Sequence, residues 1–249
     1  MSDTIANTTL QDRAIIRIGG EEARPFLQGL ITQDVLGLTP GAPRWSGLLT
    51  PQGKALFDFI LWAVGADVLI DCEAAQADAL ARRLSLYRLR RPVTIVREPE
   101  LAVHWALEAP GKPLDPRLPA LGHRWLDRPG EGDASMAFRS HRLSLQVLEG
   151  AEELGQDQTL WLEANAEELN GVDFTKGCYV GQENTARMHY RSKVNRRLVA
   201  VPVAQADAKR QRLVLPDLDV SIEHRRIEDI IDLPLPEWLA AAVTAPIEQ

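Results

Sequence analysis

Cysteine is scarce: 249 residues hold only Cys72 and Cys178. They lie far apart and form no CxxC pair, which argues against a structural zinc site or a disulfide framework and fits a reducing compartment. Two thiols also fall short of the four ligands of an ordinary iron–sulfur cluster, which excludes a conventional single-chain cluster holder. No apolar run reaches membrane-spanning length. The opening Met1-Ser2-Asp3-Thr4 shows no basic region leading into an apolar run, so no signal peptide is evident and cytoplasm is the default expectation. Glycine is absent after Gly181. Positive charge is in deficit too: 28 basic against 35 acidic residues gives a net −7. Any attraction for an anion must then come from a local concentration of basic residues.

What is present is an ordinary globular mixture, 45% apolar and 25% charged, in a length most natural for two domains. Residues 13–18 read as a strand with Ala14, Ile16 and Ile18 on one face. A short helix follows Glu21-Glu22, with Phe26, Leu27 and Leu30 as its stripe. Strands are expected at 45–50 and 56–64, separated by the turn signal Pro51-Gln52-Gly53-Lys54, and again at 68–71. In the 56–64 strand Phe57, Phe59 and Leu61 alternate with Asp58, Ile60 and Trp62. Asp58 either lines a cavity or sits at a sheet rim beside an arginine, since a buried carboxylate needs partners. Residues 74–88 form the clearest helix, with Ala77, Leu80, Leu84 and Tyr87 at helical spacing. Strands at 93–96 and 101–107 complete a pattern that is not strict β-α alternation, which points to α+β with antiparallel sheet.

Residues 109–119 are proline-dense, a loop or a domain linker. Ser135 to Val147 reads as a helix carrying Arg139, His141 and Arg142. Residues 198–203 read as a strand, followed by short strand candidates at 213–215, 220–222 and 227–231 and a helix start at 235–239. Arg187, His189, Arg191, Lys193, Arg196 and Arg197 crowd eleven residues. They are either a solvated face or a patch for a polyanion. Nucleic acid competes as the ligand, but no aromatic stacking ladder accompanies them.

Thr175-Lys176-Gly177-Cys178-Tyr179-Val180-Gly181-Gln182-Glu183 stands out. Glycines on both sides of a thiol indicate a shaped loop, and the breaker-free residues after Gly181 read as a helix. A thiol beside a helix start and a lysine is favoured as thiolate. The plainer reading is a small, buried, inert cysteine. Lys176 to Glu183 resembles the K-G-C-Y/F-x-G-Q-E signature of the YgfZ-type folate-binding proteins, relatives of the glycine cleavage T-protein (aminomethyltransferase) that assist iron–sulfur proteins. Leu160-Trp161-Leu162-Glu163-Ala164-Asn165 resembles the L-x-L-E-A-G/N segment of that superfamily. Asp115-Pro116-Arg117 with Leu121-Gly122-His123-Arg124 resembles its D-P-R…L-G-x-R element.

The resemblance implies a T-protein-like fold. Residues 1–197 would form a folate-binding region of two interleaved antiparallel α+β subdomains around a funnel, with 109–119 as a possible linker. Residues 198–249 would form a shortened C-terminal β-barrel-like domain. It implies tetrahydrofolate as ligand, iron–sulfur assembly or client proteins as partners, and no membrane. Cys178 and Lys176 would form the reactive corner. Glu163 would accept hydrogen bonds from the pterin's donors, as an acceptor-only carboxylate does; without the resemblance Glu163 reads as a helix-start carboxylate. Tyr179, Gln182, Glu183, Arg187 and Arg142 would complete the folate site; no metal site is expected. The competing readings are a folate-dependent one-carbon transferase using Asp58, Asp71 or Asp78, and a binding module with a structural Cys178.

Overall fold

The computed structural model describes residues 7–191 and 194–244. The opening residues 1–4 and Lys193, read above, lie outside them. Five strands make one antiparallel sheet in the order β2-β3-β4-β1-β5: β1 Arg13–Gly19, β2 Arg44–Leu49, β3 Ala55–Val64, β4 Asp67–Glu73 and β5 Thr94–Arg97. The period-2 alternation sends its side chains into two cores. Ala14, Ile16, Ile18, Phe59 and Leu61 pack under α1 (Ala23–Gln28) and α2 (Ala77–Arg88), against Phe26, Leu27, Leu80 and Leu84. Ile15, Ile60, Trp62 and Leu69 point the other way, into a second core.

That second core is shared with a two-stranded sheet, β6 (Ala102–Ala106) and β7 (His123–Asp127), and with α3 (Ser135–Ser144) and α4 (Gly150–Leu154). It also takes Leu198, Ala200 and Ile222 from a three-stranded antiparallel sheet, β8-β10-β9: β8 Arg196–Pro202, β9 Gln211–Leu215 and β10 Val220–Arg226. Helix α6 (Glu237–Thr244) covers the far side of that sheet through Leu239 and Val243, against Val199 and Val201. Mixed α and β structure with antiparallel sheets is the class the sequence pattern indicated. Glycine is not needed at the β9–β10 turn, because Asp219 takes the left-handed conformation there (φ 51°), which Asp tolerates better than most residues. A bulge between Ile222 and Glu223 bends the sheet. Residues 227–229 are a 3₁₀ turn rather than the expected strand. Two elements, β7 and α4, have no counterpart in the sequence reading.

The proline-dense 109–119 segment joins the paired strands β6 and β7 and folds back onto them, with Asp115 N–H donating to the Gly122 carbonyl at 2.9 Å. It delivers two buried charges, Asp115 and Arg117, to a closed ion network. Asp71 of β4 accepts from Arg13 of β1 and from Arg124 of β7, both at 2.7 Å. Glu149, just before α4, takes Arg13 at 3.0 Å and also Arg117. Arg117 is held by Asp115 through two further bonds, 2.9 and 2.7 Å long. The Phe138 ring of α3 lies 5.2 Å from the Arg124 guanidinium carbon and 5.9 Å from that of Arg117, a cation–π floor. Burial pushes the Glu149 carboxyl up, but Arg13, Arg117, Arg124 and Arg142 together outweigh it and hold Glu149 well below the usual carboxylate range. A carboxyl lowered in the folded state stabilises above its unfolded pKa and loses that contribution as pH falls through the folded value.

Removing one partner of such a network strands buried charge. Glu149→Gln is expected to cost about 3–5 kcal/mol, measured by urea unfolding at neutral pH. A loss below about 1 kcal/mol, the range of exposed pairs, would contradict this account.

Candidate functional site

The cysteine loop sits against the β2–β3 turn. Helix α5 (Gln182–Arg191) starts where the sequence placed it, directly after Gly181. Gly177 (φ 95°) and Gly181 (φ 84°) are both left-handed. A side chain at Gly181 would meet the Thr50 carbonyl oxygen at 2.5 Å and Gly53 Cα at 3.1 Å, so this glycine is required by conformation and by close approach together. Asn184 Nδ2 donates to the Gln52 carbonyl at 2.9 Å, and Thr185 Oγ1 to the Gly181 carbonyl at 3.0 Å.

On the other side the loop is bolted to the end of α1. Lys176 Nζ donates to the carbonyls of Gln28 (2.6 Å) and Ile31 (2.5 Å), and Gln28 Nε2 returns a bond to the Lys176 carbonyl at 3.0 Å. A lysine on the last carbonyls of a helix is a favourable placement. The ammonium also lies 5.0 Å from the centre of the Tyr179 ring. The expected ammonium–thiolate pair is not formed, because Nζ is engaged by backbone carbonyls, and Cys178 makes no hydrogen bond among the described residues. Burial pushes the Lys176 amine down to about 8, against the opposing charges of Asp34 and Asp173.

Cys178 is exposed, whereas Cys72 is buried. Burial pushes the Cys72 thiol up to about 12, which leaves it inert. Between exposed Cys178 and half-buried Val180, Tyr179 turns inward to the core, and burial raises its phenol to about 12. Gln182 is half-buried, while Glu183 and Arg187 are exposed on α5.

Residues 160–165 fold as a single 3₁₀ turn, Trp161–Ala164. Trp161 is fully buried, 4.7 Å from Trp45, and leaves only room for glycine at position 47. Trp161 N–H donates to the Gly53 carbonyl at 3.0 Å, which ties this turn to the same loop that receives Gly181. Glu163 Oε2 lies 3.4 Å from the Leu160 amide, as a helix-start carboxylate does, and 3.2 Å from His224 Nε2 of β10. Oε1 makes no hydrogen bond among the described residues.

Arg142 is not brought to this region. Its guanidinium is buried and bidentate on Glu153 (2.5 and 2.7 Å), with a further bond to the Val147 carbonyl. A buried arginine needs that carboxylate, which removes it from ligand duty. The basic run also divides. Arg197 is buried between Asn165 (2.9 Å) and Glu168 (2.5 Å), and His189 stacks on Phe174 and meets Glu167 at 2.8 Å. Arg191 and Arg196 are exposed. Asp58 is not at a rim. It lies in central β3, accepts from Trp45 Nε1 (3.2 Å) and the Gly150 amide (3.0 Å), and has its pKa raised by burial and by Glu149. It also lines a cavity with Cys72, Glu73 and Gln76. Sequence reasoning missed Gln28, which carries no local signal. It also missed His224, whose neighbours Arg225 and Arg226 form a visible basic run in the tail.

No protein-family model matches the chain. Curated relatives do. The mitochondrial iron–sulfur cluster assembly factor IBA57 of Homo sapiens is 34% identical over 233 residues, covering 77% of this chain and 65% of the relative. That of Mus musculus is 34% identical over 232 residues, with 77% and 64% covered. The IBA57 homolog of Coccidioides immitis is 30% identical over 235 residues, with 77% and 55% covered. The chain thus spans less than two thirds of the length of these relatives. Among solved structures, the glycine cleavage system aminomethyltransferase T of Bartonella henselae superposes with a TM-score of 0.62 at 15% identity, covering 90% of this chain and 80% of that one. The fold is therefore the T-protein fold. The cytoplasmic expectation is corrected: the relatives are named as mitochondrial.

Two measurements check the loop. Gly181→Ala is expected to destabilise by about 1–3 kcal/mol, since alanine there is strained and clashes; an unchanged urea midpoint would refute the docking described. The amine of Lys176 is lowered to about 8, below its unfolded value of ~10.4. Between those values the unfolded chain binds more protons, so stability rises with pH across that window. Lys176→Met should remove this rise from a pH series of unfolding curves. An identical slope in both proteins would show that Lys176 is not its source.

Proposed function

From the likeness to the IBA57 assembly factors, together with the T-protein fold, we propose that this chain is an accessory factor of the YgfZ-type folate-binding kind, supporting assembly or repair of iron–sulfur proteins through Cys178. The observation that carries the reading is the exposure of this thiol on a loop fixed from both sides. A thiolate is the metal-binding form of cysteine, and one sulfur supplies one bond to an iron–sulfur cargo. No group of three or more His, Cys, Asp or Glu side chains able to hold a metal occurs among the described residues. The remaining ligands of the cargo then come from a partner protein, and a rigid loop presents the sulfur at low entropic cost.

Tetrahydrofolate belongs to the same reading. Glu163 fits it, because Oε1 stays open as an acceptor for the pterin's amino and N–H donors. Arg142 does not, being closed by Glu153. When bound, the folate would supply one-carbon chemistry. The protein's own part here is to orient the ring through Glu163, whose Oε2 accepts from the Leu160 amide at 3.4 Å and lies 3.2 Å from His224 Nε2. The transferase alternative finds its carboxylates engaged: Asp71 by two arginines, Asp58 by Trp45 and Gly150, and Asp78 by Arg97.

In cells lacking the endogenous factor, Cys178→Ala is expected to abolish support of iron–sulfur enzyme activity without lowering the amount of folded protein. Full activity with the variant would sink the thiol role. Titration calorimetry with tetrahydrofolate should give a saturable heat that Glu163→Gln weakens about tenfold, the loss of one charge-assisted acceptor. No heat at millimolar ligand would remove the folate half alone.

A further inference from the structure

The three-stranded sheet carries a second site. A concavity of about 500 Å³ on it is lined by Arg196, Lys209, Arg210, Arg212 and Arg226, with Glu228 as the lone carboxylate and His224 beside them. Its volume falls within the range of small-ligand sites. Five cations gathered in a chain of net charge −7 make a local positive basin that concentrates anions.

The strand register makes this charge costly. Arg196 of β8 and Arg226 of β10 stand directly opposite each other, and like charges so placed destabilise a sheet. Internal compensation is partial. Arg210 meets Asp229 at 3.0 Å and Asp207 at 3.7 Å, and Arg226 meets Glu228 at 3.2 Å in an exposed pair. Among the described residues, the partner of Arg212 within 3 Å is neutral, Gln158 Oε1 at 2.8 Å. Arg196 and Lys209 have no ion pair among the described residues. His224 is at the back: its side chain is 9% exposed, with Nε2 at 3.2 Å from Glu163. Its Nδ1 is 3.4 Å from Arg212 Nη2.

We infer that this concavity binds a small oligoanion, a molecule with two or more phosphate or carboxylate groups within a few ångströms of one another. Guanidinium groups suit both, through paired N–H···O bonds. Among the described residues no Phe, Tyr or Trp lines the cavity, and the one ring there, His224, is set at the back, so the row of stacking rings that single-stranded nucleic acid uses is missing. The inference does not require the folate reading, because the cavity residues and their charges stand without it.

The test is titration calorimetry on the full chain with inorganic triphosphate and, separately, with tri-γ-glutamate, at low and at physiological salt. Saturable binding of either supports the site, and the tighter of the two tells a phosphate source from a polycarboxylate source. Arg196→Ala combined with Arg226→Ala should weaken binding at least about tenfold, the loss of charge-assisted bonds. Arg212→Ala alone should weaken it in the same direction. Arg90→Ala, which removes the same charge from the loop after α2, should leave it unchanged. Absence of saturation by both probes at millimolar concentration would overturn the inference. So would binding indifferent to the Arg196/Arg226 and Arg212 variants, or length-dependent displacement of both probes by a single-stranded oligonucleotide.

Discussion

Four arginines and four carboxylates buried together set the terms for this fold. Arg13, Arg117, Arg124 and Arg142 are matched by Asp71, Asp115, Glu149 and Glu153, all within a tenth of full exposure. An isolated charge at that depth would cost many kilocalories, and pairing offsets the cost only when the geometry is complete. Completion here requires β1, β4, β7, the 109–119 segment, the start of α4 and the end of α3 to arrive at once. The network therefore favours one arrangement of the chain over looser packings of the same apolar surfaces. Asp58, a fifth carboxylate on the same face, has its pKa raised.

That arrangement fixes the sheet, and the sheet fixes the site. The β2–β3 turn projects from the five-stranded sheet and receives both Gly181 and Trp161. The cysteine loop and the 160–165 turn are thus neighbours because they share one landing point, though they are separated along the chain. Lys176 supplies the other fixed point. Its ammonium is spent on the carbonyls at the end of α1, and the Cys178 sulfur has no hydrogen-bond partner among the described residues.

The sheets were legible where alternation was strong. In β1 and β3 the period-2 pattern grouped Ile16 with Ile18 and Phe59 with Leu61, and each pair does share a face. The α5 start was legible because Gly181 marks it. What was not legible depends on pairing across long separations. Glu149 carries no local signal in sequence and Asp71 reads only as a candidate acid for the transferase alternative, and only the approach of Arg13, Arg117 and Arg124 makes them interior partners. Arg142 was misplaced for the same reason, since its partner Glu153 lies in a short helix without a clear pattern. Strand β7 was hidden because its residues His123 and Arg124 belong to a motif read for function rather than conformation.

The two candidate sites meet at the 160–165 turn. One end of this turn holds the loop that carries Gly53 and, through it, Gly181. Its carboxylate, Glu163, touches His224 at the back of the basic concavity, and Asn165 binds the Leu198 carbonyl of β8. The turn is thus packed on one side against the seat of the cysteine loop and on the other against the three-stranded sheet.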